Sequence, residues 1–362
     1  MLGGGTWVTQ NKILPGAYIN FVNASKATAT LGERGIAAIA LPLGKTPGKV
    51  IEITASEFVK DSEDLLGKAY TDASLVALRE IFCHARKCLI FDLGTETASA
   101  SDEEETPSTS SAGYTVSDVI EALEPLDFNT LAIYTNVSAD VAQYVAAIKT
   151  WRDDIGKKVI GVGYNLSNPN HEGIINVVST VSNEGAAAFA LVAWVTGAEA
   201  GCEVNKSVTN MIYDGEYTVV CNHRQTALEQ CITNGQFVFH LVYGDVRVLE
   251  DINSLTQTTE EKGEDFKSNQ TMRVCDQIAN DIAKLFNQKY LGQIPNNESG
   301  RISFWGDIVS HHRQLEQIEA IQDFDSSLVT VEEGLRKSSV VVNDVINPVN
   351  CMTRLYMTVV VA

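Results

Sequence analysis

The 362-residue sequence predicts a mainly parallel α/β unit followed by an α+β unit built from the last third of the chain, with a strand-like arm at each end. Three observations carry this. Continuous apolar runs alternate with helix-like stretches from Gly35 to Asn165. Two amphipathic helical repeats and short β-rich pieces follow from Asn269 onward. Both chain ends are β-prone, with little apolar sequence beside them to form a core. Apolar strands spaced by helices imply βαβ units around a parallel sheet buried on both faces.

The first arm, residues 1–22, opens on Gly3-Gly4-Gly5 and ends in a β-prone run in which Tyr18, Ile19 and Phe21 are the candidate pairing residues. The α/β unit spans 23–235. Its expected strands are 35–41, 87–92, 128–134, 157–164 and 174–181. Its expected helices are 62–70, 74–86, 116–123, 139–154 and the alanine-rich 184–200. In the helix over 139–154, Val141, Tyr144, Val145, Ile148 and Trp151 share one face. Within this unit, residues 94–113 are rich in Ser, Thr and Glu, and no Lys or Arg occurs from Cys88 through Ile148. Such a composition cannot offset its ordering entropy, so an exposed, mobile acidic loop is expected.

Past Gly201 the pattern changes. Two β-prone stretches, 211–220 around Asp214-Gly215 and 237–249 around Gly244-Asp245, read as antiparallel hairpins, with a short helix at 224–233 between them. The α+β unit spans 236–350. In its first long helix, 269–290, Cys275, Ile278, Ala279, Ile282, Leu285 and Phe286 hold the spacing of a buried face. Arg273, Asn280, Lys284 and Asn287 line the opposite one. The second helix, 301–321, uses Trp305, Ile308, Leu315 and Ile318, and β-rich pieces follow at 328–331 and 339–346. The carboxy-terminal arm, 351–362, alternates Leu355, Met357, Val359 and Val361 with Tyr356, Thr358 and Val360, so both faces are largely apolar. Its last eleven residues, fully extended, would reach roughly 35 Å, and a free edge this apolar would invite pairing with another chain.

The chemistry of the chain is sparse. A net charge of −19 and a pI near 4.7 argue against direct nucleic-acid binding, which relies on clustered Lys and Arg. No stretch approaches the roughly 18 apolar residues of a membrane span, and the start lacks the basic flank and apolar run of a signal peptide. The seven cysteines form no C-x-x-C pair and read as reduced, mostly buried small hydrophobes; no metal or cofactor site is expected. There is no phosphate-binding Walker loop, G-x-S-x-G elbow or H-E-x-x-H motif. Gly161 and Gly163 lack the third glycine of a dinucleotide loop. Cys83 and His84 would diverge by about 100° on a helix. His311 and His312 are expected as one ring partly packed and one solvated. The competing functional reading is an α/β enzyme binding a small ligand at the carboxyl ends of the parallel strands.

The arm Gly4-Gly5-Thr6-Trp7-Val8-Thr9-Gln10-Asn11-Lys12, followed by Pro15-Gly16-Ala17-Tyr18-Ile19-Asn20-Phe21, resembles the tail sheath proteins of contractile phages and phage-like (R-type) bacteriocins. The similarity continues through Asp251-Ile252-Asn253-Ser254-Leu255-Thr256, Glu261 to Phe266, Arg273 to Ile282, Ile294 to Asn297 and Ala320 to Phe324. It runs on through Val340 to Asp344 and the ending Leu355 to Val361. The resemblance implies an α/β outer domain and an α+β inner sheath domain. It also implies a non-enzymatic subunit that stacks in rings around an inner tail tube, between baseplate and tail terminator proteins. Collapse of that sheath would drive the tube through a bacterial envelope. Assembly in the host bacterial cytoplasm and residence in a virion or bacteriocin tail follow. Both arms would add strands to sheets of adjacent subunits, Arg273 and Lys284 would be candidate tube-facing residues, and no cofactor, nucleic acid or membrane insertion is implied. Many relatives carry a β-rich insertion where this chain has only the acidic loop.

Overall fold

The computed structural model describes residues 31–94 and 113–361. The expected amino-terminal arm, with Tyr18, Ile19 and Phe21, and the acidic loop, apart from its two ends, lie outside the described residues.

The chain starts with the fully apolar strand β1 (Ile36–Leu41) and returns antiparallel through β2 (Val50–Thr54). Helices α1 (Ala55–Leu66) and α2 (Val76–Phe82) lead into β3 (Lys87–Asp92). After α3 (Val116–Leu123) come β4 (Thr130–Ala132), α4 (Ser138–Thr150), β5 (Ile160–Tyr164) and β6 (Ile174–Val177). Helices α5 (Leu191–Gly201) and α6 (Gln225–Thr233) then precede β7 (Gln236–Phe237). The seven strands form one sheet in the order β2-β3-β1-β4-β5-β6-β7, with every pairing parallel except that of edge strand β2.

Side-chain alternation divides the core cleanly. Ala37, Ile39 and Leu41 of β1, with Cys88 and Ile90 of β3, face α2 and α5. Ala38, Ala40, Leu89 and Phe91 face α3 and α4. Helix α5 is buried along nearly its whole length, and Gly197 lets it lie against the backbone of α2, because a Cβ there would stand against the Ile81 carbonyl. From β5 to β6 the chain makes its parallel connection in a short loop without a helix. Asn165, Asn168 and Asn170 all adopt left-handed backbone there, which Asn tolerates better than other side chains.

Several expectations change. The α/β unit does not stop at 235, since β7 pairs with β6 and Phe237 and Phe239 sit in the sheet's core. The stretch 211–220 is no hairpin: Ile212 bridges Arg247 and Val219 bridges Val181, so its two halves are drawn to different neighbours. The second hairpin exists as β8 (Phe239–Val242) and β9 (Asp245–Val248), but it turns at Tyr243-Gly244, both at positive φ, as a tight two-residue hairpin requires.

The last third begins with α7 (Asn269–Leu285), N-capped by Ser268 and extended by a wide turn over Phe286–Tyr290. Helix α8 (Glu298–Gln317), N-capped by Asn297, is followed by the antiparallel pair β10 (Thr330–Glu333) and β11 (Val340–Asn343). A small core of Leu285, Tyr290, Phe304, Ile308 and Val329 joins them. Ile318 lies beyond the end of α8 and is exposed rather than core. Among the described residues no helix is long and apolar enough to cross a membrane.

The contact of α5 with α2 makes a local prediction. Gly197→Ala should destabilise the isolated subunit by about 2 kcal/mol, since backbone must move to admit the methyl group. Gly306→Ala in α8, where a Cβ meets open space, should instead stabilise by about 0.5 kcal/mol. Urea unfolding of both variants checks the pair, and equal effects would contradict the close approach.

Candidate functional site

The first half of helix α7 departs from its sequence pattern, whereas Asn280, Lys284 and Asn287 farther along are exposed as expected. Arg273, expected on an outward polar face, is completely buried. Its guanidinium donates to Glu199 of α5 (2.6 Å), to Asp251 (3.2 Å) and to the Lys206 carbonyl (2.6 Å). Asp276, one turn on, receives a two-pronged pair of bonds from Arg152, at 2.8 Å each, and this pair too is buried. Arg152 is itself fixed to the Val159 carbonyl at the start of β5. Arg34 closes the other side, donating to the carbonyls of Glu199 (3.3 Å) and Cys202 (3.4 Å) at the end of α5, where a cation suits the helix dipole. Arg273 and Asp276 thus hold the first half of α7 to the α/β body. Arg273 is therefore not available to any outside partner.

Burial pushes the Glu199 carboxyl up to about 8, with the neighbouring Asp251 charge adding to the effect. Asp251, against the same cost of burial, is held below the usual carboxylate range by Arg273. The cluster therefore keeps one carboxylate ionised beside Arg273 and the other protonated near neutrality.

The apolar stripe is left open in consequence. Ile278, Ala279, Ile282 and Phe286 are only half-buried and, with Phe304, Ile308, Val340 and Val342, line a groove of about 460 Å³ between α7 and β11. Asp344 stands at one end of it. The β10–β11 pair is a two-stranded sheet, and Val341 and Val342 on β11 are exposed. A two-stranded ribbon is marginal by itself and gains from a third strand.

The carboxy-terminal arm passes the first turn of α7. The Gln270 side chain of α7 grips it like a strand partner, donating to the Val349 carbonyl (3.0 Å) and accepting from the Cys351 N–H (2.9 Å). Arg354 makes a two-pronged bond to Glu250 at 2.9 and 3.0 Å. Beyond it, residues 355–361 form no strand and no hydrogen bond with any described residue. Leu355 is 85%, Tyr356 89% and Val361 90% exposed, and Met357 and Val359 are exposed as well. Lys284 is exposed on α7, beside Asn287 and facing Lys157 and Lys158.

The remaining chemistry-bearing places are a crevice whose described lining lacks His, Cys and Lys, and side-chain clusters that bond one another. The crevice at the carboxyl ends of β1 and β4, about 750 Å³, is lined by Tyr114, Tyr134, Tyr144, Phe189 and Tyr217 with Ser74, Thr135, Asp140 and Gln143. Its described lining holds no His, Cys or Lys to act on a ligand. Gly161 admits Ile148 of α4 rather than a phosphate. His84 bonds Asp214 (3.1 Å), while the Cys83 thiol, pushed up to about 12 chiefly by burial, donates to the Arg79 carbonyl. Asp153, His171 and Glu172 come within metal-ligand spacing. However, His171 Nδ1 accepts from the Gly173 N–H, so Nε2 carries its proton toward Asp153, and Lys262 neutralises Glu172. His311 and His312 are both buried, each against an aspartate, instead of one being solvated.

Comparison with known proteins follows the same outline. The phage tail sheath protein central domain matches residues 110–254, and the phage tail sheath C-terminal domain matches 261–362. The uncharacterized protein YqbK of Bacillus subtilis (strain 168) is 31% identical, over 92% of this chain and 79% of its own. The crystal structure of a sheath tail protein from Desulfitobacterium hafniense superposes with a TM-score of 0.76 at 27% identity, covering 92% of this chain and 96% of that one. The contracted helical sheath of the anti-feeding prophage shares the fold at 13% identity, with a TM-score of 0.71 over 96% of this chain and 99% of that one.

The buried cluster predicts a pH dependence. Glu199 binds its proton more tightly folded than at its ordinary 4.5, so its stabilisation is complete below about 4.5 and lost as pH rises through about 8. Glu199→Gln should flatten the decline in unfolding free energy between about pH 5 and pH 9 measured by urea titration. A parallel decline in both proteins would show that Glu199 does not hold its proton there.

Proposed function

The chain belongs to the phage tail sheath protein family, and on that premise we propose that it is the repeating subunit of a contractile sheath, with its carboxy-terminal arm as the link from one subunit to the next. The reading rests on one observation above all: an apolar groove and an unpaired strand edge on the body, and a bare apolar segment at the chain end.

The occupant that fits the groove is the arm of a second copy. Seven residues, Leu355 to Val361, extend over roughly 23 Å at about 3.3 Å per residue, ample to run beside the four residues of β11. Main-chain hydrogen bonds to β11 would hold the arm, and alternate side chains would enter the stripe of Ile278, Ile282 and Phe286. This is strand addition, in which the backbone carries affinity and the groove carries register. Such a link tolerates rotation of the bodies it joins, because the arm can bend between Arg354 and the paired segment. The amino-terminal segment containing Tyr18, Ile19 and Phe21 is proposed as the second link of this kind.

In this reading the subunits encircle an inner tube, and shortening of the sheath moves the tube outward through a cell envelope, with baseplate and terminator proteins at the two ends. The energy is stored in subunit interfaces during assembly, and no nucleotide or cofactor takes part. The body acts as a rigid structural piece rather than a catalyst. Lys284, exposed on α7, remains the candidate for contact with the tube, whereas Arg273 is excluded by its burial.

Two outcomes follow. Purified full-length protein should form striated tubes in negative stain, and a chain lacking residues 355–362 should stay a folded monomer with an unchanged melting profile. Tubes from the truncated chain would refute the arm as link. Ile282→Glu should likewise prevent tube formation while costing the free subunit less than about 1 kcal/mol, since the site is half open.

A further inference from the structure

One chain of hydrogen bonds joins the docking groove to the point where the described body begins. Asp344, the first residue past β11, accepts from His312 Nε2 at 2.6 Å. His312 Nδ1 lies 3.4 Å from His311 Nδ1, and His311 Nε2 meets Asp281 of α7 at 2.9 Å. Both oxygens of Asp281 accept from the Gly32 N–H, at 3.1 and 3.0 Å. Gln277 closes the far end, donating to Asp281 (2.8 Å) and to the Gly32 carbonyl (3.2 Å).

Adjacent residues on a helix point about 100° apart, so two neighbouring rings on α8 can face carboxylates from two different elements. Each Nε2 directs its proton at an aspartate. The two Nδ1 atoms face each other across 3.4 Å, so the rings join the two aspartates in one line of polar contacts. Both rings are buried, and His312 also packs on Phe324 with centroids 5.1 Å apart, so neither can swing out to water without disturbing the small core.

We infer that the His311–His312 pair is a relay between the docking groove and the amino-terminal root of the described body, through which a change at Asp344 alters the hold on Gly32 more than 300 residues earlier in the chain. The relay's use rests on the sheath reading: a neighbour's strand laid along β11 would bear on Asp344, and the subunit would answer at its amino-terminal root. The relay itself belongs to the single subunit. Loss of either ring breaks the line of contacts between the two aspartates. Asp281 then relaxes away from its place over Gly32. This couples two sites by a contiguous set of bonds, and coupling of that kind is established only when perturbing one end moves the other.

Hydrogen exchange on the full-length subunit reads the far end directly, in the peptide carrying the Gly32 amide. His312→Phe keeps the ring volume, removes both nitrogens and touches neither Gly32 nor Asp281. It should speed Gly32 exchange about tenfold, while amides in α2 and α5 stay as in wild type. Asp344→Asn, which leaves both rings in place, should give a smaller change of the same sign and serves where His312→Phe lowers the melting temperature. Asp281→Asn, which removes the direct partner, marks the full effect. If Asp281→Asn speeds Gly32 exchange and both distal variants leave it unchanged, the relay is refuted. Absence of tubes from the wild-type protein would count against the sheath reading and leave this result standing.

Discussion

The buried ion pairs along one side of α7 are the constraint on which the rest of the structure depends. Arg152 with Asp276, and Arg273 with Asp251 beside the protonated Glu199, turn part of what reads as the wet face of a helix into its point of attachment. Charges placed this deep are stabilising only while paired, and removing one partner of such a pair costs about 3–5 kcal/mol. The helix therefore cannot roll to bury its apolar stripe within its own subunit. Ile278, Ile282 and Phe286 are held open, facing the free edge of β11.

That inversion gives the molecule a body and a receptor in one piece. The α/β sheet, buried on both faces, supplies rigidity, and α7 carries that rigidity into the last third of the chain. The arm is held firmly up to Arg354, by Gln270 on the backbone and Glu250 on the side chain, and is bare after it. A rigid body, an open groove and an apolar segment free past a fixed root are the parts that a polymer of rotating subunits would use. In the proposed sheath they link copies that shift against each other without unfolding.

Much of this was legible in the sequence, and the failures share a cause. The strand β3 and the helix α3 fall where composition and periodicity place them, because fully buried parallel strands and a capped amphipathic helix are local patterns. The exposed, apolar carboxy-terminal arm was legible for the same reason. The edge strand β2 escaped notice, since five residues of Val-Ile-Glu-Ile-Thr carry little signal before an adjoining helix. Arg273 was misplaced because helical periodicity reports which face is apolar and not which face is covered. Its partners Glu199 and Asp251 lie 74 and 22 residues away in the chain. The paired histidines were misread likewise, as Asp281 and Asp344 are brought to them only by folding. Asp214-Gly215 had the chemistry of a hairpin turn, but tertiary bridges to Arg247 and Val181 pulled its flanks apart.

The claim that one subunit's arm completes another's groove is tested most directly by a residue-resolved cryo-electron microscopy map of the assembled tubes. The account predicts density for residues 355–361 of one copy as a strand along β11 of a different copy, with side chains over Ile278, Ile282 and Phe286. An arm folded back on its own body, or a groove facing only solvent in the tube, would contradict it.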